Sequence, residues 1–317
     1  MTWIPRTETG APASGGRFAY PGRLISDATL RAAASYSAIK RRAPALATAV
    51  AFLALFSQAL LLLVQDWWQL PEAGHGLLLG PLAAWLAWHS GIRDTARPNH
   101  RAGIAVLFGA ILIRYIAALA AEPFATRESA ILALAALTVY NFGIGQLRWW
   151  WLPFTLAVLT VPLPELVTQQ LALPLQLEAS RIGANLLSSR HVPVQLMGNI
   201  IRLPGRELFV TEACSGLRSL TALISLGVLV GAVTLRSTIS RLALLALAIP
   251  VAILLNGVRV FLTGFLVYFV SPAFGEGFMH ATEGWVLFVV SFAALGVLAL
   301  GFVLVESRVM RRSTRDV

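Results

Sequence analysis

Cysteine, lysine and charged residues in general are scarce in this 317-residue chain. Cys214 is the one cysteine and Lys40 the one lysine. A single cysteine excludes an intramolecular disulfide framework and argues against a thiolate-rich metal site. Charged residues make up 13% of the chain and hydrophobic residues 57%, which leaves too few polar side chains to cover a water-soluble core. We therefore expect a membrane protein whose partner is the lipid bilayer.

The formal net charge of +10 comes almost entirely from arginine. Many of these arginines lie in short loops and tails between apolar runs. That distribution is typical of a membrane topology signal and not of a phosphate-binding face. The sequence indicates no nucleic-acid partner.

Apolar runs long enough to cross a hydrocarbon layer roughly 30 Å thick recur along the chain. They lie near residues 44–65, 76–92, 102–121, 129–146, 149–166, 214–234, 242–269 and 284–305. The sequence therefore predicts an all-α polytopic membrane protein with about eight transmembrane helices, in a membrane domain over residues 44–306. The fourth and fifth runs are joined so tightly around Arg148 that we expect them to form a helical hairpin.

Basic residues accumulate on one side of this arrangement. They lie at residues 40–42, 93–101, 148, 236–241 and 308–315. Because positive short loops stay in the cytoplasm, both termini are predicted to be cytoplasmic, in the inner membrane. Arg127 and the arginines of segment 167–213 are exceptions on the outer side.

The two ends of the chain are polar. Residues 1–43 are rich in Gly, Pro, Ser and Arg, and they predict a disordered cytoplasmic tail. No clear cleavage pattern follows the first apolar run, so we interpret that run as a signal anchor. Residues 307–317 predict a short basic cytoplasmic tail.

Segment 167–213 is the one long loop, and it is predicted to lie outside. Its first half, residues 169–190, spaces Leu and Ile among polar residues, as in an amphipathic helix lying in the outer interface. Its second half alternates apolar and polar residues and turns at Pro204-Gly205. That pattern predicts a β-hairpin that leads the chain to Glu212.

Cys214 lies where the sixth predicted span begins. A helix amino terminus favours the thiolate over the thiol, and Arg218, four residues on, has the same effect. A packed, inert thiol and an arginine that reaches the lipid headgroups would fit the same positions. Both interpretations stay open on this segment alone.

Asn256 and Arg259 interrupt the apolar seventh span and are three residues apart, so they share one face of the helix. An arginine inside a membrane span costs at least ~2.5 kcal/mol of insertion free energy, and it normally faces a bundle interior or a water-filled cavity. A structural arginine bonded to carbonyls is the alternative. Arg114, in the third predicted span, is a functional candidate for the same reason, because it is a charged residue inside a membrane span.

His280 lies in the last predicted outer loop, before Trp285 and the eighth span. A cysteine and a histidine can supply a nucleophile and a general acid/base. An arginine can stabilise the oxyanion that forms when a thiolate attacks a carbonyl group. These three side chains are the parts of acyl transfer through a thioester.

Three segments together resemble the exosortase/archaeosortase family. They are Glu212-Ala213-Cys214-Ser215-Gly216-Leu217-Arg218, Asn256-Gly257-Val258-Arg259, and His280 with Gly284-Trp285. The resemblance covers most of residues 44–305.

The resemblance implies a membrane-embedded cysteine protease/transpeptidase. It implies Cys214 as nucleophile, His280 as general acid/base and Arg259 as transition-state stabiliser, with Arg218, Asn256 and Glu212 as auxiliary residues. The implied substrates are exported proteins with a carboxy-terminal sorting signal: a short motif such as Pro-Glu-Pro, a transmembrane helix and a basic tail. The acceptor is unknown, and no cofactor or metal is required.

Two other functions are compatible with the same residues. In a transporter or an exopolysaccharide assembly component, Asn256 and Arg259 would line a polar pathway and Cys214 would be incidental. An intramembrane protease that only hydrolyses would need Cys214 but would attach nothing to its product. A Cys214→Ala variant and the product mass separate these alternatives.

Overall fold

The computed structural model describes residues 22–70, 72–210, 216–271 and 277–313. These residues form ten helices and three strands. In chain order they are α1 (Gly22–Gln69), α2 (Gly76–Ser90), α3 (His100–Leu119), α4 (Pro123–Phe142), α5 (Ile144–Trp149), α6 (Trp151–Leu159), α7 (Glu165–Ser189), β1 (Gln195–Met197), β2 (Ile200–Leu203), β3 (Arg206–Phe209), α8 (Leu217–Thr234), α9 (Thr238–Phe269) and α10 (Gly277–Ser313).

The chain divides into two compact units, Met1–Ser57 and Gln58–Val317. In the first unit α1 begins at Gly22, within the stretch 1–43 that the sequence predicts to be a cytoplasmic tail. The stretch before the apolar run is rich in alanine, the residue with the highest helix propensity. In the second unit α10 continues to Ser313, and the start of the predicted basic tail is therefore helical as well.

Five helices of the described residues are long and apolar enough to cross a membrane. They are Ala43–Gln69, His100–Leu119, Leu217–Thr234, Thr238–Phe269 and Val289–Val309. Large apolar side chains on their surfaces are exposed, such as Phe108 at 67% and Ile239 at 80%. Such a surface suits contact with lipid. The count of eight spans remains a prediction, because the second, fourth and fifth predicted spans are not among these five helices.

The predicted fifth span, 149–166, is not one continuous helix. α5 ends at Trp149 and α6 has only nine residues, Trp151–Leu159. The chain leaves the helix before Pro162-Leu163-Pro164, because proline lacks the N–H that a helix needs and disfavours helical backbone in the residue before it. α2, with 15 residues, is about 22 Å long at the helical rise, which is also less than the hydrocarbon thickness.

Gln146 of α5, the short helix between α4 and α6, is hydrogen-bonded to the loop after α2. Gln146 is fully buried; its side-chain oxygen accepts a hydrogen bond from the Arg93 N–H at 3.0 Å, and its amide donates to the Gly91 carbonyl at 3.1 Å. The indole of Trp150 donates to the same carbonyl at 3.1 Å. The connection around Arg148, where a helical hairpin was predicted, therefore contains the short helix α5 and is held by these hydrogen bonds.

The ends of α1, α2 and α6 meet around Trp67. Gly76 and Gly80 of α2 lie directly against its indole ring, where any side chain would collide. The indole N–H donates to the Thr160 carbonyl at 2.9 Å, just beyond the end of α6. The short helices α2 and α6 are therefore held at a fixed position beside the end of α1.

Two buried charges at the same end of α1 form an ion pair. The Nε of Arg127 lies 2.5 Å from Oδ2 of Asp66, and both side chains are about nine-tenths buried. The pairing supplies a physical reason for an arginine on the side that is predicted to be outside. This pair was not predicted from the sequence.

α7 packs along the second half of α9 through glycines. Gly257 of α9 lies against Ile182, while a Cβ on Gly183 of α7 would fall 2.6 Å from Val260. Small residues of this kind let two backbones approach closely. A helix was predicted over 169–190, and α7 occupies nearly that range.

A three-stranded antiparallel sheet with the order β1-β2-β3 follows α7. β2 and β3 are joined by Pro204-Gly205, and Gly205 has φ +76°, which suits proline and glycine at the two central positions of a turn. Only the hairpin of β2 and β3 was predicted from the sequence, and β1 was not. Ile201 and Leu203 of β2 are buried in a cluster with Leu187 of α7 and Val260 of α9, so the sheet rests on these two helices.

Candidate active site

Gly216 at the start of α8 lies directly against Asn256 of α9. Its φ is +82°, and a Cβ built on it would fall 2.6 Å from Cγ of Asn256. Only glycine satisfies both the left-handed backbone and the close approach. The predicted sixth span, 214–234, already includes Gly216, whereas α8 begins at Leu217.

Asn256 and Arg259 occupy the part of α9 that faces the start of α8 and the sheet. Asn256 is 5% exposed and Arg259 is half-buried. The Thr263 hydroxyl donates to the Arg259 carbonyl at 3.0 Å. Val260, the next residue, belongs to the cluster beneath the sheet. The segment of α9 around Arg259 therefore packs against the start of α8 through Asn256 and against the sheet through Val260.

One layer of contacts between α8, α9 and α10 allows positions along the three helices to be compared. Gly227 of α8 faces Leu245 of α9 and Leu295 of α10, and an added Cβ would lie 3.1 and 3.8 Å from them. We call these three residues the reference layer. At the far end of the bundle, Glu306 of α10 accepts a hydrogen bond from the Ser237 N–H at 3.0 Å, which fixes the direction of α10.

Three candidate positions lie at similar heights above the reference layer. At 1.5 Å per residue, α8 rises about 16 Å to Gly216, α9 about 21 Å to Arg259 and α10 about 22 Å to the backbone of His280. The contact between Gly216 and Asn256 shows that α8 and α9 rise to the same end. The helices that carry the predicted arginine and histidine therefore bring both residues to one end of a three-helix bundle.

The structure describes the other predicted site residues to different extents. Arg218 lies in the first turn of α8 and is exposed. Cys214 and Glu212 lie outside the described residues, and for His280 only the backbone, as part of α10, is described. Their contacts and roles stay predictions.

The arrangement suits stabilisation of a negative charge. Arg259 is half-buried on α9, one helical turn beyond Asn256, which contacts the residue before α8, and the amino-terminal end of a helix carries a partial positive charge. In surroundings poor in water, both interact more strongly with an anion than they would in solution. No group of three or more His, Cys, Asp or Glu residues within the described ranges is placed to hold a metal ion.

Arg114, the other arginine of a predicted span, has a partner on α1. Its Nη2 donates to Oε1 of Gln58 at 3.0 Å, which joins α3 to α1. This bond gives Arg114 a structural partner.

Comparison with known proteins identifies one similarity. A family model described as transmembrane exosortase matches residues 67–297, which is more than two thirds of the chain. The matched range contains the segments around Cys214, Arg259 and His280. No curated protein and no solved structure is significantly similar to this chain.

Proposed function

Because the chain belongs to the transmembrane exosortase family, we propose that it is a membrane cysteine protease/transpeptidase that cleaves carboxy-terminal sorting signals. The substrates would be exported proteins that end in a Pro-Glu-Pro-like motif, a transmembrane helix and a basic tail. Cleavage would proceed through a thioester on Cys214.

The observation that supports this proposal most directly is the contact of Gly216 with Asn256. Cys214 precedes Gly216 by two residues in the sequence, and two residues of chain span at most about 7 Å. Arg259 is one helical turn beyond Asn256, on the same face of α9. This contact supports the proposal that Cys214 and Arg259 act on the same substrate group.

The proposed reaction has two balanced steps. In the first, the Cys214 thiolate attacks the scissile carbonyl carbon, and Arg259 stabilises the oxyanion. The C–N bond then breaks, His280 donates a proton to the leaving amine, and the tail departs with a new amino terminus.

In the second step an acceptor amine or water attacks the thioester carbonyl. His280 takes a proton from the attacking group, and the Cys214 thiolate leaves as the new C–N or C–O bond forms. Glu212 and Arg218 are proposed as auxiliary residues beside Cys214. No cofactor is needed to balance either step.

We propose a topology with both termini in the cytoplasm and the reacting groups at the outer face of the inner membrane. The arginine distribution supports this orientation. The apolar, exposed surfaces of the five candidate spans support the placement in a membrane. A sorting-signal substrate would then present its motif on the outer side, where its own transmembrane helix ends.

The mass of a coexpressed sorting-signal substrate tests the proposal. Wild-type protein should remove the substrate's tail, and Cys214→Ala should leave the substrate intact while remaining in the membrane at the same level. Thr234→Ala, at the other end of α8, should behave like the wild type because its hydroxyl donates to the Val230 carbonyl of the same helix, at 2.7 Å.

The product mass separates the alternatives. An added mass on the trimmed substrate indicates transfer to an acceptor, whereas the mass of a free carboxylate indicates hydrolysis. Equal tail removal by wild type and Cys214→Ala would overturn the proposed thiol chemistry and favour a transporter or an assembly component.

A further inference from the structure

β3 is the edge strand of the small sheet, and it leads directly into the segment that carries Cys214. The strand order is β1-β2-β3, so β2 occupies one side of β3. α7 packs against β1 and β2. An edge strand presents a row of backbone N–H and C=O groups that can pair with another chain.

The register identifies which groups face the free edge. The Val210 N–H donates to the Asn199 carbonyl at 2.9 Å, so these two residues form a hydrogen-bonded pair. Hydrogen-bonded pairs alternate along an antiparallel ladder. Leu208 and Arg206 therefore bond to β2, while Glu207 and Phe209 direct their N–H and C=O groups to the opposite side.

Within the ranges that the structure describes, no backbone group pairs with Glu207 or Phe209 on that side. The Phe209 side chain is 54% exposed. The Glu207 carboxylate accepts from Nε of Arg202 at 2.6 Å, which neutralises a charge that would otherwise protect the edge. This edge has neither a proline nor an unpaired lysine to discourage a further strand.

We propose that the free edge of β3 binds the extended segment of the substrate that precedes its transmembrane helix, as an added strand. This inference rests on the proposed function and names its substrate-binding surface. Main-chain hydrogen bonds to an edge strand are a known way to hold an extended peptide.

The position of β3 favours this occupant. Phe209 precedes Cys214 by five residues, which span at most about 17 Å when extended. The sheet itself rests on Val260, the neighbour of Arg259. A peptide added to β3 is therefore held close to the proposed nucleophile, in the extended form that leaves its carbonyl groups accessible.

A Pro-Glu-Pro segment fits the alternation of an added strand. Proline has no N–H, so it is tolerated in an edge strand where that position faces away from the sheet. The central glutamate would then direct its N–H and C=O towards β3, and both prolines would face outward. Because like charges directly opposite each other are destabilising, the glutamate is expected opposite Phe209 and not opposite Glu207.

Two proline variants with matched controls test the added strand from the side of the enzyme. Glu207→Pro removes an edge-facing N–H but no bond to β2, whereas Glu207→Ala removes the same side chain and keeps the N–H. Phe209→Pro and Phe209→Ala form a second matched pair. In the Cys214→Ala protein, each proline variant should weaken binding of a fluorescent Pro-Glu-Pro substrate peptide about tenfold relative to its alanine control.

A modified peptide tests the same bond without changing the protein. N-methylation of the central glutamate removes its N–H, and it should weaken binding about tenfold. A Pro-Ala-Pro peptide controls for loss of the side chain and should bind with a smaller change. This arm gives an answer even if a proline variant fails to reach the membrane.

The outcomes separate the two proposals. If wild-type protein removes the tail while neither N-methylation nor the proline variants weaken binding more than their controls do, strand addition is overturned and the proposed function stands. If wild-type protein removes no tail, the proposed function fails and the substrate assignment of β3 fails with it.

Discussion

The backbone of Gly216 and the side chain of Asn256 are so close that a single methyl group on Gly216 would fall 2.6 Å from Cγ of Asn256. This contact joins the start of α8, two residues after Cys214, to the helix that carries Arg259. It connects two of the three sequence segments that resemble the exosortase family.

We expect Gly216→Ala to impair both folding and activity. An alanine at φ +82° costs about 1–2 kcal/mol in backbone strain, and its methyl group would displace Asn256. Thermal unfolding in detergent should occur at a lower temperature, and substrate cleavage should fall at least about tenfold, which corresponds to about 1.4 kcal/mol.

Gly109→Ala is the matched control, because a Cβ on that α3 glycine would meet nothing within 4 Å. It should leave cleavage unchanged and can raise stability by up to about 1 kcal/mol through helix propensity. Equal stability and activity of the Gly216 and Gly109 variants would contradict the importance of the contact.

Arg259→Gln should lower kcat for substrate cleavage by about 100- to 1000-fold with little change in KM, as expected when a donor to an oxyanion is lost. Arg259→Lys should recover part of kcat, because it restores the charge but not the planar guanidinium. Arg181→Gln is the control. Arg181 is exposed on α7 and paired with Glu178 at 2.6 Å, so this change should leave kcat within about twofold of wild type.

A rise in KM at constant kcat would show that Arg259 binds the substrate and does not stabilise the transition state. A loss of membrane-inserted protein would instead indicate a structural arginine. The kcat and KM values, measured together with the thermal unfolding temperature, distinguish these roles.

Hydrophobic run length predicted the long helices well, because a chain in lipid must satisfy its backbone within each segment. The runs near 102–121 and 242–269 became α3 and α9 almost unchanged. The run 149–166 did not form one continuous helix, because hydrophobicity alone does not reveal a helix break. Pro162 and Pro164 carried that information and were counted as apolar residues of a span.

The candidate site could be predicted as a set of residue types but not as a set of contacts. Cys214, Arg259 and His280 were selected by their chemistry, by the predicted topology and by resemblance. The contact of Gly216 with Asn256 depends on how α8 and α9 cross, and a single sequence does not specify helix crossings. The alternation of Glu207 and Phe209 at the free edge likewise needed the register of β3.

Gly257→Leu should destabilise the packing of α7 on α9. Gly257 lies directly against Ile182, and a larger side chain in a packed interface typically costs 1–3 kcal/mol. Gly301→Leu, on α10 where an added Cβ would meet nothing within 4 Å, should be tolerated. Thermal unfolding of both variants in the same detergent measures the difference, and equal unfolding temperatures would argue against tight α7–α9 packing.

Replacing one partner of the Asp66–Arg127 ion pair should lower the free energy of unfolding substantially. Both side chains are about nine-tenths buried, so Arg127→Gln leaves an uncompensated buried carboxylate and is expected to cost about 3–5 kcal/mol. Replacing both partners, as in Asp66→Asn with Arg127→Gln, should cost less than the sum of the single changes because neither charge remains unpaired.

The pair of Glu178 with Arg181 provides the internal control for that cycle. It has a similar N–O distance of 2.6 Å, but its side chains are 49% and 60% exposed. Solvent screening and side-chain entropy reduce the value of such a pair to about 0.2–1 kcal/mol. A double-mutant cycle on each pair, measured by unfolding in detergent, should therefore give a large coupling energy for Asp66 with Arg127 and a small one for Glu178 with Arg181. Similar coupling energies for both pairs would mean that water reaches Asp66 and Arg127, and that the end of α1 is more open than its burial indicates.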